Sequence, residues 1–220
     1  YKRQGLATTR GGGNTVIGAN AFTVNTTGST NTAIGRQTLN ANTTANANVA
    51  VGYSALEANT TGTENVAVGK DALSSCTTGS ENTAIGQNSG GGVTTGANNT
   101  FLGNASGQAV TTADDNTFVG NTAGASTTTG ANNVFVGYQA GVKLTSADYN
   151  TFVGNQAGSE VTTGAGNVII GRYVGTATLT DTVAIYTHPT GGPPTERLTI
   201  DSTGGKVNGN PIVTLSLIHI

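Results

Sequence analysis

Ordinary globular chemistry is scarce in this chain. Of its 220 residues only 9% are charged and 5% aromatic, with no Trp, no Met, one Cys and four Pro. So few large side chains argue against a broad core of the usual Leu, Phe and Met. So few charges argue against ordinary disorder, which is usually charge-rich. A single cysteine, Cys76, excludes an intrachain disulfide. It stands where neighbouring repeats have Asn59 and Val93, which suits a small, partly buried filler.

The missing charges also narrow the partners. Net charge is −2, and between residues 14 and 180 only Arg36, Lys70, Lys143 and Arg172 are basic, against eight acidic residues. No basic stripe exists to neutralise phosphates, so no nucleic acid is expected as a partner. No apolar run approaches the length of a membrane span. His188 is the only histidine before the final six residues. Neither a Ser/His/Asp nor a Cys/His arrangement can be assembled within the repeats, and no cluster of His and Cys offers a metal site. No enzymatic activity and no cofactor are expected. The acidic residues Glu64, Glu81, Asp114, Asp115 and Asp148 fall near turns, and read as solvated carboxylates rather than Ca²⁺ ligands.

What is abundant is small and tolerant of β structure: 34 Gly, with Thr, Asn, Ala and Ser filling much of the rest. It is arranged with a strict period. An asparagine returns every 17 residues, at Asn14, Asn31, Asn48, Asn65, Asn82, Asn99, Asn116, Asn133, Asn150 and Asn167. Each opens a phrase N-[TV]-x-[VIL]-G, such as NTAIG, NVAVG or NTFVG, and the closing glycine is as regular, from Gly18 to Gly171. A short fixed period is the mark of stacked repeats.

One repeat, NVAVGYSALEANTTGTE at residues 48 to 64, shows the expected coil. Its first residues alternate and suit a strand. Gly52 ends the strand with a bend that a side chain would obstruct. A second extended piece is expected from Tyr53 to Thr61, with Gly62 turning the chain back. Glycine at fixed positions and the Asn/Thr content disfavour a helix. The fold class expected is all-β: a parallel β-solenoid of ten coils. At the strand-to-strand spacing of about 4.8 Å, ten coils make a rod of about 48 Å. The ten asparagines then form a ladder of side-chain amides that hydrogen-bond up and down the stack.

Two positions of the repeat exchange bulk. Early coils pair a small third residue (Ala33, Ala50, Ala67) with a large ninth (Leu39, Leu56, Leu73); later coils pair Phe101, Phe118, Phe135 and Phe152 with Gly107, Gly124, Gly141 and Gly158. That is how two sites filling one space at constant volume behave. Coil five, with Ala84 and Gly90, fits neither set. The second and fourth residues point to one strand face and the third to the other, and both faces are apolar in many coils. One face lines the interior. The other, taken as the column Phe101, Phe118, Phe135 and Phe152, is expected to be an exposed stripe that subunits cover as a homotrimer. Thr pairs also recur, from Thr26–Thr27 to Thr162–Thr163. Flat threonine arrays can adsorb to ice, which gives an alternative reading; β-propensity and turn hydrogen bonding account for the pairs more simply.

The phrases NTAIG, NVAVG and NTFVG, with the G-x-x-A-L-x-x-x-T-T-G register that follows, resemble the head repeats of trimeric autotransporter adhesins. They resemble related repeats of bacteriophage tail fibres still more closely. The resemblance covers residues 14 to about 180. It implies a left-handed parallel β-roll with three chains packed together. The 17-residue repeat is longer than the commoner adhesin-head period. A second phrase, ERLTID at Glu196 to Asp201, resembles the segment linking fibre repeats to a C-terminal intramolecular chaperone, although KVNGNPIV replaces the usual continuation.

The resemblance implies the shaft of a phage tail fibre or surface adhesin. Such a shaft presents a tip that binds a host cell-surface glycan or protein, on a virion or an extracellular surface. The chain then divides into a linker or partial coil at 1–13, solenoid repeats at 14–180 and a β-rich connector at 181–214 toward a further C-terminal region. Residues 215–220, LSLIHI, read like a translated sequencing adaptor, and the lack of Met, even at position 1, reads as a fragment.

Overall fold

The computed structural model describes residues 11–187, 195–201, 204–207 and 210–211. The linker reading of residues 1–10, the adaptor reading of residues 215–220 and parts of the connector fall outside them. The described residues form a parallel β-solenoid. Ten strands of three residues each, from β1 (Thr15–Ile17) to β10 (Val168–Ile170), stack in chain order in one sheet. Register is constant: Val49 pairs with Val66, Ala50 with Ala67 and Val51 with Val68, one repeat apart.

Each coil carries one strand and not two. The stretch expected to be extended, Tyr53 to Thr61, opens with a run of turns from Tyr53 to Ala58. The reason is a set of left-handed residues at fixed places. Ser54 and Leu56 have φ of 53° and 51°, and the same seventh and ninth positions are left-handed throughout coils one to nine, as is the seventeenth. Each positive φ swings the chain back on itself, so 17 residues close a narrow loop. The closing glycine of the strand is a fourth special site. Gly52 has φ 131°, and a Cβ there would stand 2.5 Å from the carbonyl oxygen of Gly69 in the next coil. Coils can approach this closely only because the whole column is glycine.

The stack begins to change at coil ten. Val168 pairs with Val183, a step of fifteen residues. The sheet then continues with antiparallel strands: β11 (Val183–Thr187) pairs with β12 (Thr195–Asp201), β12 with β13 (Gly204–Val207), and β13 with β14 (Asn210–Pro211). At the other end Gly13, with φ 70°, has the left-handed backbone of a seventeenth-position residue.

The core is a thin axial column. Ala33, Ala50, Ala67 and Ala84, then Phe101, Phe118, Phe135, Phe152 and Ile169, are all fully buried at the third position. The ninth position adds Phe22, Leu39, Leu56 and Leu73, and the twelfth adds Cys76, Val93, Val110, Leu144 and Val161. The phenylalanines stack with the coils. Phe118 and Phe135 lie 4.7 Å apart and 4° from parallel, Phe135 and Phe152 4.9 Å apart and 9° from parallel.

This corrects the expected assembly stripe. Phe101, Phe118, Phe135 and Phe152 have no exposed surface within a single chain. The third position is the inward face of the strand, and the second and fourth positions are the outward face.

Candidate functional site

The asparagine ladder is continuous from Asn14 to Asn167 and lies inside the turn; every rung after the first is buried. The backbone N–H and Nδ2 of Asn99 both donate to Oδ1 of Asn82, at 3.0 and 3.1 Å. Nδ2 also donates to the carbonyls of Ala97 and Ala113, at 2.9 and 2.8 Å. Oδ1 of Asn99 in turn accepts from the N–H and Nδ2 of Asn116. Each rung therefore ties its own coil across the turn and joins it to the coil before. At the end of the stack Thr182 takes the next rung, donating its N–H to Oδ1 of Asn167 at 3.1 Å. From Asn31 to Asn167 each side-chain amide donates to at least two acceptors, so these side chains are consumed by structure.

A second, shorter ladder runs through the twelfth position. Nδ2 of Asn42 donates to Oδ1 of Asn25 at 2.9 Å, and Nδ2 of Asn59 to Oδ1 of Asn42 at 3.3 Å. It stops where Cys76 follows, and Oδ1 of Asn59 is left buried without a partner. The Cys76 thiol donates to the carbonyl of Gly79 at 3.4 Å. Burial pushes its pKa up to about 11, partly offset by backbone hydrogen bonding at Gly79 that favours the thiolate. A buried thiol that holds its proton this firmly is a poor nucleophile.

The threonine pairs divide their labour. The hydroxyl of the first Thr bonds the next coil, as when Thr60 donates to the carbonyl of Thr77 at 2.9 Å and Thr94 to that of Thr111 at 3.1 Å. The second Thr is exposed in every coil from Thr27 to Thr163, with Ser146 as the one substitution. The turn acids are partly structural too. Oδ1 of Asp114 accepts the N–H of Ala97 at 2.7 Å, and Oδ1 of Asp148 that of Ala131 at 2.8 Å. Among the described residues no three His, Cys, Asp or Glu side chains come together to hold a metal ion. Nor is any helix there long and apolar enough to cross a membrane.

One surface feature stands out once the inward face is known. The fourth position is Ile, Val or Leu in all ten coils, from Ile17 to Ile170. It points outward from the sheet, with Ile17 53%, Leu102 43% and Ile170 44% exposed and Ile34, Val51, Val68 and Val119 half-buried. Beside it the second position is Thr in six coils and Val in four. The aliphatic column does not end with the parallel strands. Register carries it from Ile170 to Ile185, then to Leu198 and Val207. It thus crosses from parallel to antiparallel pairing on one face of the sheet. The regular alternation within each strand was the signal for this column, since it names two faces and assigns the fourth residue to the one opposite the third. Comparison with protein-family models, with curated proteins and with solved structures finds no match to this chain.

Proposed function

We propose that the chain is a structural shaft, part of a phage tail fibre or surface adhesin, in which three copies pack through the outward face of the sheet. The observation that carries this reading is the fourth-position column. Ten successive aliphatic residues, six of them exposed and Ile34, Val51, Val68 and Val119 half-buried, run without a polar substitution and continue through a connector of different strand pairing. Isolated exposed apolar residues need no explanation, whereas a continuous stripe marks a surface that is covered. Copies in register offer each other the same stripe at the same repeat, so cyclic packing covers it along the whole rod. The repeats offer no constellation for catalysis, and their uniformity suits a spacer. The likeness of NTAIG and NTFVG to fibre and adhesin-head repeats supports the same role, with a receptor-binding tip outside these repeats.

Site-directed crosslinking tests the packing. In a Cys76→Val background, Val119→Cys places a thiol on the fourth-position column and Thr129→Cys places one on the exposed threonine column. Oxidation is expected to link copies through residue 119 and not through residue 129. Linkage through 129 alone, or through neither, would remove the proposed face.

A second reading rests on the threonine column. Exposed hydroxyls at the second Thr of each pair repeat at about the 4.8 Å strand spacing, from Thr27 to Thr163. A regular hydroxyl row is the feature an ice-binding solenoid would use. Thermal hysteresis of the purified chain, lost on replacing Thr95 and Thr112 by Lys, would support it; no hysteresis would dismiss it.

A further inference from the structure

We propose that coil five is a packing seam that divides the solenoid into two cooperative units, and that the N-terminal unit opens first. The first-position asparagine ladder and the threonine ladder run through coil five without a break. Asn82 and Asn99 are joined, Thr94 bonds the carbonyl of Thr111, and the strand Thr83–Ile85 pairs on both sides. The packing column behaves differently. Coils two to four fill the axis with leucine at the ninth position, coils six to nine with phenylalanine at the third, and coil five has only Ala84 and Gly90.

Its neighbours lean into the space. A Cβ on Gly90 would meet Cδ2 of Phe101 from coil six at 2.7 Å and Cδ2 of Leu73 from coil four at 3.0 Å. At Gly124 the nearest atoms all belong to Phe118 of the same coil. Phe101 shows the consequence. Its ring lies 44° from that of Phe118 at 5.6 Å, where the next two pairs are within 9° of parallel. The axial space of coil five is therefore filled largely by borrowed side chains; its own contribution there is Val93, with Ser89 donating a hydrogen bond to the carbonyl of Phe101. In a stacked repeat protein stability is a sum of coil terms and nearest-neighbour terms, so a weak interface becomes a boundary of cooperativity.

The two sides differ in strain. Leu39, Leu56 and Leu73 adopt φ between 47° and 51°, the left-handed region that disfavours a side chain. The later coils place glycine there, with φ between 59° and 62° from Gly107 to Gly158. Each side carries one buried oxygen without a partner, Oδ1 of Asn59 and Oγ1 of Thr127, so these offset. The left-handed leucines make the N-terminal side the less stable unit.

Native-state hydrogen exchange of the full chain in rising denaturant tests this. The amides of Asn48 and Asn65 are expected to share one opening, with protection about tenfold or more below that of Asn116 and Asn133, which share another. Ala84→Phe gives coil five the Phe/Gly pair of its C-terminal neighbours and should raise protection of the Asn65 amide toward that of Asn116. One common opening for all four amides in the wild-type chain would overturn the seam. So would a C-terminal unit that opens first. The wild-type comparison decides even if the variant fails to fold.

Discussion

The ring of Phe118 occupies the space that a side chain on Gly124 would take. A Cβ on Gly124 would lie 2.9 Å from Cγ of that ring and closer still to Cδ2 and Cε2. The same relation recurs between Phe135 and Gly141, where the nearest distance is 2.5 Å. In coils two to four the arrangement is inverted, with alanine at the third position and leucine at the ninth. The inverted form has a cost, since leucine must adopt a left-handed backbone that glycine adopts freely.

This relation predicts a coupled pair. Phe118→Ala should cost about 3 to 5 kcal/mol, because the ring is fully buried and leaves a cavity. Gly124→Leu alone should also destabilise, since the new side chain has no room. Combined, the two changes rebuild the Ala/Leu filling of coils two to four and should recover part of the loss, short of full recovery by about 1 kcal/mol of backbone strain. Denaturant unfolding of the four chains gives the cycle. Additive losses would show that the two positions do not share space.

The ladder predicts a pH dependence for an isosteric change. In Asn99→Asp the oxygen that replaces Nδ2 would face three acceptors: Oδ1 of Asn82 and the carbonyls of Ala97 and Ala113. The ionised form is disfavoured there, so the folded pKa rises above the ordinary value of about 3.9. The penalty is full above the folded pKa and is relieved as pH falls toward the unfolded value, where the protonated acid donates one hydrogen bond. The variant should lose about 3 kcal/mol at pH 7, and distinctly less at pH 3. Equal stability of variant and wild type at both pH values would mean that the ladder contributes nothing.

Cys76 predicts a loss of stability in alkali. Its pKa is raised from 9.0 to about 11 by burial, so the folded chain keeps the proton after the unfolded chain has lost it. The contribution is fully present below pH 9 and is lost as pH rises to 11, a change of about 2 to 3 kcal/mol. Cys76→Val copies the residue one coil later, Val93, and removes the titration. The stability difference between wild type and variant should be flat below pH 9 and move in favour of the variant between pH 9 and 11. A difference unchanged across that interval would show that the thiol ionises as readily folded as unfolded.

Much of this architecture was legible because the repeat is strict. The spacing of Asn14 to Asn167 sets the coil length, the strand and the ladder, and the glycine of each phrase marks the tight bend. Which strand face turns inward was not legible from alternation alone, because alanine or phenylalanine on one side and valine or isoleucine on the other are both apolar. The bulk exchange between third and ninth positions held the answer. Two residues that fill one space within a coil must both point into it, which places Phe101 and its equivalents inside. The turns between Tyr53 and Ala58 were hidden for another reason. Ser54 and Leu56 are left-handed, a conformation that neither residue type announces and that only closure of the stack imposes. Coil five was visible as an exception, but not the way in which Leu73 and Phe101 fill it.

The mass of the assembled particle tests the proposed packing of three copies. Light scattering of the wild-type chain, and of a Leu102→Glu/Val119→Glu variant with two charges on the fourth-position column, measures it without labels. The wild type is expected at three times the 21.8 kDa chain mass. The variant, whose substitutions lie on the outward face and leave the core untouched, is expected at the mass of one chain with the same circular dichroism. A wild-type particle of 21.8 kDa would contradict the account, as would a variant that still assembles.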